Sequence, residues 1–102
     1  MNAEFTISIG LNDRDTHTQI IGTEAARQIV FDAFGDCTIQ TCTGRFTHEN
    51  GIVVYETSFR VFVYADSTEA ERLAAICREL KISLNQEAIV MSWRPCGETS
   101  FI

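Results

Sequence analysis

The sequence predicts an α+β fold in which two helices cover one face of a four-stranded antiparallel sheet. Four segments alternate apolar and polar residues with the period of a strand, and two segments repeat apolar residues with the period of a helix. In chain order these segments read βαββαβ, which is the order of the ferredoxin-like sandwich. We expect one domain over residues 1–102, with its core at about 4–94 and a C-terminal tail at 95–102.

The first half of the chain supplies two strands and the helix between them. The first predicted strand, residues 4–11, has apolar side chains at alternate positions on one face: Phe5, Ile7, Ile9 and Leu11. Thr23 is predicted to cap the first helix, and Gly35 follows that helix where a positive φ is favoured. The second predicted strand, residues 36–46, is rich in threonine and β-branched residues.

The second half repeats the pattern. The pair Asn50 and Gly51 predicts a tight type I′ hairpin that leads into a third strand at residues 52–65. The odd positions of this strand are predicted to face the helices: Val53, Tyr55, Phe59, Val61 and Val63. Thr68 begins a capping-box pattern for the second helix, and the last strand is predicted at residues 87–94.

Composition and charge narrow the function classes. The chain is 45% hydrophobic and 22% charged, as is typical of a folded domain. Its formal charge of −6 disfavours nucleic acid as a partner, because phosphates are bound by Lys and Arg. No apolar run is long enough to cross a membrane, and the first residues lack the pattern of a signal peptide. We therefore expect a cytoplasmic protein with no membrane partner.

The four cysteines predict neither a zinc knuckle nor a redox pair, because none forms a Cys-x-x-Cys motif. Cys37 and Cys42 are five residues apart, so they are expected on opposite faces of the second strand. Together with Cys77 and Cys96 they are predicted to be reduced thiols that mainly fill apolar space. No cofactor is predicted, and whether a metal binds is left open.

The predicted topology brings polar residues from three parts of the chain to one end of the sheet. Strands 1 and 3 are expected to be central, so the loop after strand 1, the hairpin between strands 2 and 3 and the start of strand 4 share an end. The start of the first helix lies there too and suits an anion. The candidate ligand-binding residues at this end are Asn12, Asp13, Asp15, His17, His48, Glu49, Gln86 and Glu87.

These side chains suit either a ligand or a purely structural role. Carboxylates beside imidazoles can hold a divalent metal or act as a general base near neutral pH. However, no established metal-binding or phosphate-binding spacing is present. Polar loops also gather at the ends of most sheets, so the structural alternative stays open.

The open face of the sheet is predicted to contact another subunit, because apolar patches on a sheet face usually need a cover. We therefore expect a homo-oligomer formed through this face. Alternating Arg60, Phe62 and Tyr64 also resemble the third strand of RNA-recognition motifs, but the first strand has no aromatic residue there and the chain is acidic. The candidate interface residues on the sheet and in the tail are Arg60, Phe62, Tyr64, Val90, Phe101 and Ile102.

Two short motifs resemble a family of small bacterial and prophage-borne proteins of unassigned function. They are Gly-Leu-Asn-Asp-Arg-Asp-Thr at residues 10–16 and Leu-Asn-Gln-Glu-Ala at residues 84–88, and the resemblance extends over about residues 5–93. It implies a ferredoxin-like domain related in shape to the PII-like signalling proteins, and it implies no activity. The PII-like shape suggests that an oligomer senses a small ligand.

The sequence leaves three hypotheses open. The first is a non-enzymatic, oligomeric module that binds a small ligand or a partner protein. The second is an acidic phage-type inhibitor that occupies a nucleic-acid-binding surface, which requires carboxylates clustered on one face. The third is a metal-dependent enzyme, which requires carboxylate and imidazole groups around a common ion.

Overall fold

The computed structural model describes residues 1–47 and 49–97, so the predictions for His48, Phe101 and Ile102 lie outside the described residues. Within this part of the chain the order is βαββαβ, which confirms the predicted ferredoxin-like α+β fold. A short 3₁₀ turn precedes the second helix. The elements are β1 (Asn2–Gly10), α1 (Thr23–Phe34), β2 (Thr38–Thr47), β3 (Val53–Asp66), α2 (Ala70–Ser83) and β4 (Ile89–Pro95).

The sheet has the order β2-β3-β1-β4, and its neighbouring strands are antiparallel. The prediction that the first and third strands are central is therefore confirmed. Phe5 of β1 lies opposite Val63 of β3, and Ile9 lies opposite Phe59. Because the side-chain period of a strand is two, this register places the apolar residues of both central strands on the same face.

The hydrophobic core lies between that face and the two helices. Phe5, Ile7 and Ile9 of β1 are completely buried, as the alternation of the first strand predicts. Ala3 of β1 and Phe59, Val61 and Val63 of β3 are also buried on this face. The helices contribute their own buried stripes at helical spacing, which are Ala26, Val30 and Phe34 on α1 and Leu73, Cys77 and Leu80 on α2.

The helix ends differ in detail from the prediction. α1 begins at Thr23 itself, and Gly22 is the N-cap without a side-chain hydrogen bond, so the predicted cap at Thr23 is wrong by one residue. Gly35 has φ 73°, which confirms the expected positive φ. The capping box at Thr68 is also wrong: the Asp66 carboxylate accepts a hydrogen bond from the Thr68 N–H at 3.0 Å, because β3 runs on to Asp66 and a 3₁₀ turn starts there.

The hairpin between β2 and β3 extends beyond the rest of the sheet. The pairing of β1 with β3 ends at Ser58, whereas β2 and β3 stay paired from Thr43–Thr57 to Thr47–Val53. We call residues 43–47 and 53–57 the hairpin arm. Tyr55 is 66% exposed and Val53 is 39% exposed, so the prediction that they belong to the core is wrong, since strand alternation gives a face but not how far the covering helices reach.

The turn of this hairpin is longer than predicted. Thr47 pairs with Val53, which leaves a connection at residues 48–52. Gly51 has φ 83° but Asn50 does not have a positive φ, so the type I′ turn is wrong. Instead the Asn50 Oδ1 accepts a hydrogen bond from the Ile52 N–H at 3.0 Å, which is the geometry of an Asx turn. In the described part of the chain, no helix is both long and apolar enough to cross a membrane.

Candidate functional site

A cleft of about 640 Å³ lies on the open face of the sheet, at the end where the loop after β1 meets the hairpin arm. This volume is within the range of small-molecule sites. Small side chains of the three strands form its floor: Ser8, Gly10, Cys42 and Ser58. Larger and charged side chains border it: Arg14, Phe46, Glu56, Arg60, Glu87 and Val90.

Glu56 is held in the cleft by a backbone hydrogen bond and by a glycine. The Asn12 N–H donates to Glu56 Oε2 at 2.8 Å. A Cβ on Gly10 would lie 2.5 Å from the same oxygen, so the carboxylate occupies space that only glycine leaves. No hydrogen bond from residues 1–47 or 49–97 reaches the other oxygen, Oε1. That oxygen remains able to accept a hydrogen bond from a ligand.

Phe46 forms an apolar wall on the hairpin-arm side of the cleft. Its ring lies over Gly44, where a Cβ would be 2.9 Å from the ring atom Cε2. The ring is 54% exposed and lies next to Val54 in the ladder of the arm. An exposed aromatic face of this kind suits a flat ligand group. Ala88 and Val90 supply apolar atoms from the opposite edge of the sheet.

The cleft carries charges of both signs. Arg14 and Arg60 contribute guanidinium groups, and Glu56 and Glu87 contribute carboxylates. The Arg14 Nε lies 3.8 Å from the Asp15 carboxylate, whereas Arg60 makes no ion pair with any residue that the structure describes. The arrangement therefore suits a ligand that has both a cationic and an anionic part.

The two sequence motifs meet beside the cleft and tie the loop after β1 to the end of α2. The Asn85 Nδ2 donates to Asp13 Oδ1 at 2.7 Å and to Asp15 Oδ2 at 2.9 Å. Asp13 Oδ2 accepts from the N–H groups of Asp15 and Thr16. The Gln86 side chain is 4% exposed, and its amide donates to the carbonyl oxygen of Asn12 at 2.9 Å. These contacts fix the Asn12 N–H that holds Glu56.

We expect the Asn85–Asp13 contact to make stability depend on pH. The Asn85 amide, aided by the Asp15 and Thr16 N–H groups, lowers the pKa of Asp13 below its ordinary 3.8, although some burial opposes this. A lowered folded-state pKa gives stability that is present above pH 3.8 and is lost as the pH falls through the folded pKa. In urea denaturation, Asn85→Gly should therefore have a lower free energy of unfolding than the native chain at neutral pH. The difference between the two free energies should become smaller at acidic pH.

Asn50→Gly is the matched control for this experiment. The Asn50 side chain accepts a hydrogen bond from the Ile52 N–H, and no hydrogen bond joins it to a carboxylate of residues 1–47 or 49–97. Asn50→Gly should therefore lower the free energy of unfolding equally at neutral and acidic pH. Glycine tolerates the φ of 46° that Asn85 adopts, so Asn85→Gly introduces no backbone strain that would lower stability by itself. If Asn85→Gly lowers the free energy of unfolding by the same amount at neutral and acidic pH, the Asn85–Asp13 contact does not contribute to the pH dependence of stability.

The cleft brings together five of the predicted ligand-binding residues, which are Asn12, Asp13, His17, Gln86 and Glu87. Asp15 does not line it, and Glu49 lines a separate depression with His17 and Asn50. The start of α1 does not line the cleft either. Sequence reasoning missed Glu56, Phe46 and Cys42 as site residues. These residues come together only when β1, β2 and β3 pair in register, and the spacing of residues along the chain does not show that register.

The cysteines lie as their spacing predicts. Cys42 lines the cleft on the open face, and Cys37 packs against the core on the other side. No disulfide joins any two of the four cysteines, all of which lie within the described residues. Burial raises the pKa of the Cys37 and Cys77 thiols, which makes them poor nucleophiles. In the described ranges, no group of three or more His, Cys, Asp or Glu side chains is placed to hold a metal ion.

The carboxylates are spread over several elements of the fold. They lie on β1 at Glu4, on α1 at Glu24, on α2 at Glu71 and in the loop at Asp13, and several pair with cations. The acidic-inhibitor hypothesis requires carboxylates clustered on one face, and it stays open.

Comparison with other proteins gives structural likenesses only. No family model and no curated protein matches the sequence. A phage SAM lyase in complex with S-methyl-5′-thioadenosine is 19% identical, covering 91% of this chain and 80% of its own, with a TM-score of 0.67. The phage SAM lyase in the apo state is 18% identical, with 90% and 78% covered and a TM-score of 0.72.

A third similar structure is the periplasmic divalent cation tolerance protein CutA from Archaeoglobus fulgidus. It is 16% identical, covers 98% of this chain and 88% of its own, and has a TM-score of 0.57. The predicted PII-like shape is supported by these likenesses, and the bacterial and prophage family remains a resemblance. At these identities the comparisons show that the chain shares the ferredoxin-like fold of the SAM lyase and of CutA.

Proposed function

We propose that the open-face cleft binds an adenosine thioether or sulfonium, such as S-methyl-5′-thioadenosine or S-adenosylmethionine. The observation that carries this proposal is the placement of Glu56. Its carboxylate is held by the Asn12 N–H over Gly10, with one oxygen left for a ligand, inside a cleft of suitable volume. Carboxylate oxygens accept hydrogen bonds from hydroxyl groups, and acidic side chains bind ribose in this way in dinucleotide-binding folds.

The other groups of the cleft suit the remaining parts of such a molecule. The exposed ring of Phe46 offers a surface on which adenine can stack. The carboxylates of Glu56 and Glu87 favour the positive charge of a sulfonium. Arg60 offers a guanidinium to the carboxylate of the methionyl group. Together these groups match a ligand that has an aromatic base, hydroxyl groups and both charges.

The structural comparison supports this choice of ligand. The phage SAM lyase that matches 91% of this chain was solved with S-methyl-5′-thioadenosine bound. Because the identity is 19%, the likeness by itself suggests which compounds to test and does not assign a function. The proposed role here is that of a binding module, in line with the small-ligand hypothesis from the sequence.

Cys42 provides a direct test because it lines the cleft. We expect S-methyl-5′-thioadenosine to bind in isothermal titration calorimetry and to slow alkylation of Cys42 about tenfold when the ligand is at roughly ten times its Kd. Cys96 lies outside the cleft and is half-buried, so its alkylation rate should not change. Mass spectrometry of digested protein measures both rates in one sample.

The same experiment is repeated with S-adenosylmethionine, and the products are separated by chromatography. Intact S-adenosylmethionine together with protection of Cys42 would support a binding module. Release of S-methyl-5′-thioadenosine would support the proposed site and would show that the protein is an enzyme rather than a binding module. No heat of binding and no protection of Cys42 with either compound would contradict the proposed function.

Assembly through the open face is a second proposal, and it concerns the oligomer that the sequence predicts. Tyr64 is 63% exposed on this face and lies outside the cleft, which supports contact with another subunit, whereas the equally exposed Val90 lines the cleft. Phe62 is half-buried, and Arg60 borders the cleft. A subunit seated on Tyr64 would lie away from the hairpin arm, because Tyr64 pairs with Glu4 at the other end of β3.

A further inference from the structure

We propose that Gln86 accepts a hydrogen bond from the 3′-hydroxyl group of the bound nucleoside, so that the cleft selects ribose over a 3′-deoxy sugar. This proposal rests on the proposed function, because it assigns a second hydrogen-bond acceptor in the same cleft. Gln86 lines the cleft just before β4 begins, whereas Phe46 lines it on the hairpin arm.

The orientation of the Gln86 amide is fixed by its surroundings. The side chain is almost completely buried, with 4% exposed. Its Nε2 donates to the carbonyl oxygen of Asn12 at 2.9 Å and to that of Leu84 at 3.2 Å, so both amide hydrogens have an acceptor. Turning the amide over would place its oxygen against these two carbonyl oxygens, which have no hydrogen to donate. The hydrogen-bond network therefore identifies which atom of the amide is Oε1.

This Oε1 is an unused acceptor in the cleft. No group in residues 1–47 or 49–97 donates a hydrogen bond to it. Within the same residues, no fully enclosed side-chain oxygen lacks a hydrogen bond, so Oε1 keeps contact with the space that Gln86 lines, which is the cleft. A nearly buried acceptor without a partner is unfavourable, and a ligand that donates to it removes this cost.

Glu56 presents a second unused acceptor beside the first, because both side chains are held by Asn12. The Asn12 N–H donates to Glu56 Oε2, and the Asn12 carbonyl oxygen accepts from Gln86. Glu56 Oε1 and Gln86 Oε1 therefore reach the cleft from the two sides of one residue. Two acceptors with no donor between them suit a ligand that has donors on adjacent atoms. The vicinal hydroxyl groups of ribose have this arrangement.

The order of the strands indicates which hydroxyl group meets which acceptor. The sheet order β2-β3-β1-β4 places Phe46, Glu56 and Gln86 in that sequence across the cleft. When adenine stacks on Phe46, the sugar carbon that carries the base lies nearest to β2. The 2′-hydroxyl group is on the next carbon and meets Glu56. The 3′-hydroxyl group is one carbon further and meets Gln86.

Calorimetry with S-methyl-5′-thioadenosine and its 2′-deoxy and 3′-deoxy analogues tests this assignment. The native protein should bind the 3′-deoxy analogue about tenfold more weakly than the parent compound, which is the scale of one lost hydrogen bond. Gln86→Met has a side chain of similar length without the oxygen, so it should bind these two compounds equally. Its preference for the parent over the 2′-deoxy analogue should remain. None of the three compounds has an ammonium group, so the comparison measures recognition of the sugar.

Gln19→Met is the matched control. The Gln19 amide also donates to two oxygens, the carbonyl oxygen of Ile21 and Thr23 Oγ1, but Gln19 does not line the cleft. Gln19→Met should therefore keep the full preference for the 3′-hydroxyl group. If Gln86→Met weakens binding of all three compounds by one common factor, the proposal is overturned, because support of Asn12 alone affects each compound alike.

Circular dichroism establishes that each variant is folded before it is titrated. If Gln86→Met does not fold, Gln86→Lys keeps a donor for the two carbonyl oxygens and still lacks Oε1, so it should also lose the preference for the 3′-hydroxyl group. A native protein that binds the parent compound and its 3′-deoxy analogue equally would overturn this proposal and leave the proposed function standing. A native protein that binds none of the three compounds would reject the proposed function and this proposal with it.

Discussion

Replacing Glu56 by glutamine is expected to weaken binding of S-methyl-5′-thioadenosine about 10- to 100-fold, as measured by calorimetry. Hydrogen bonds to a charged group contribute roughly 1.5–3 kcal/mol, and the substitution removes the charge while nearly preserving size. The amide oxygen of glutamine can still accept from the Asn12 N–H, so the fold should be unaffected. Glu79→Gln, an exposed carboxylate on α2, is the matched control and should bind as the native protein does.

A second variant tests the position of the carboxylate without changing Glu56. In Gly10→Ala the added Cβ would lie 2.5 Å from Glu56 Oε2, so the carboxylate must move away. Because the displaced group is the end of a flexible side chain, the free energy of unfolding should change little while affinity falls. Gly97→Ala, where nothing lies within 4 Å of the added atom, should alter neither. Native affinity in both Glu56→Gln and Gly10→Ala would remove Glu56 from the site.

Replacing Phe59 by alanine is expected to lower the free energy of unfolding by about 3–5 kcal/mol in urea denaturation. Phe59 is completely buried on a central strand and faces Ile9 across the sheet. The Arg27 guanidinium lies 5.5 Å from the centre of its ring and would lose that contact. A small domain has a total stability of only about 5–15 kcal/mol, so a large part of it depends on this side chain.

Phe31→Ala on α1 is the control for this substitution. Phe31 is partly exposed and lies outside the buried core, so the expected loss is about 1 kcal/mol or less. Equal losses for Phe31→Ala and Phe59→Ala would show that the core does not depend on the sheet face as the structure indicates. Phe46→Ala should behave like Phe31→Ala in stability but should weaken ligand binding, because Phe46 borders the cleft.

Alternation and helical spacing were sufficient to predict the fold. The apolar positions of β1 face the core as predicted, because a strand buried on one face must repeat every second residue. The same rule placed Cys37 and Cys42 on opposite faces. These predictions succeeded because each depends on neighbours along the chain and on one buried surface.

The details that failed depend on where elements end. Val53 and Tyr55 have the parity of core residues, but no helix covers them. The turn at Asn50 is an Asx turn within a longer connection. Thr68 does not cap α2, because a 3₁₀ turn capped by Asp66 lies between β3 and that helix. Where a strand leaves the core depends on how much of the sheet the helices cover. The local pattern of apolar and polar residues does not specify this.

The sequence by itself determined the order of the elements, the face of each strand and the end of the sheet where polar residues gather. Only the tertiary structure decided which of these residues form a site. Glu56 is 44 residues from the N–H that holds it, and Asn85 is 72 residues from Asp13. Strand register and the space left by Gly10 bring such groups together, and these depend on packing across the whole sheet rather than on local spacing.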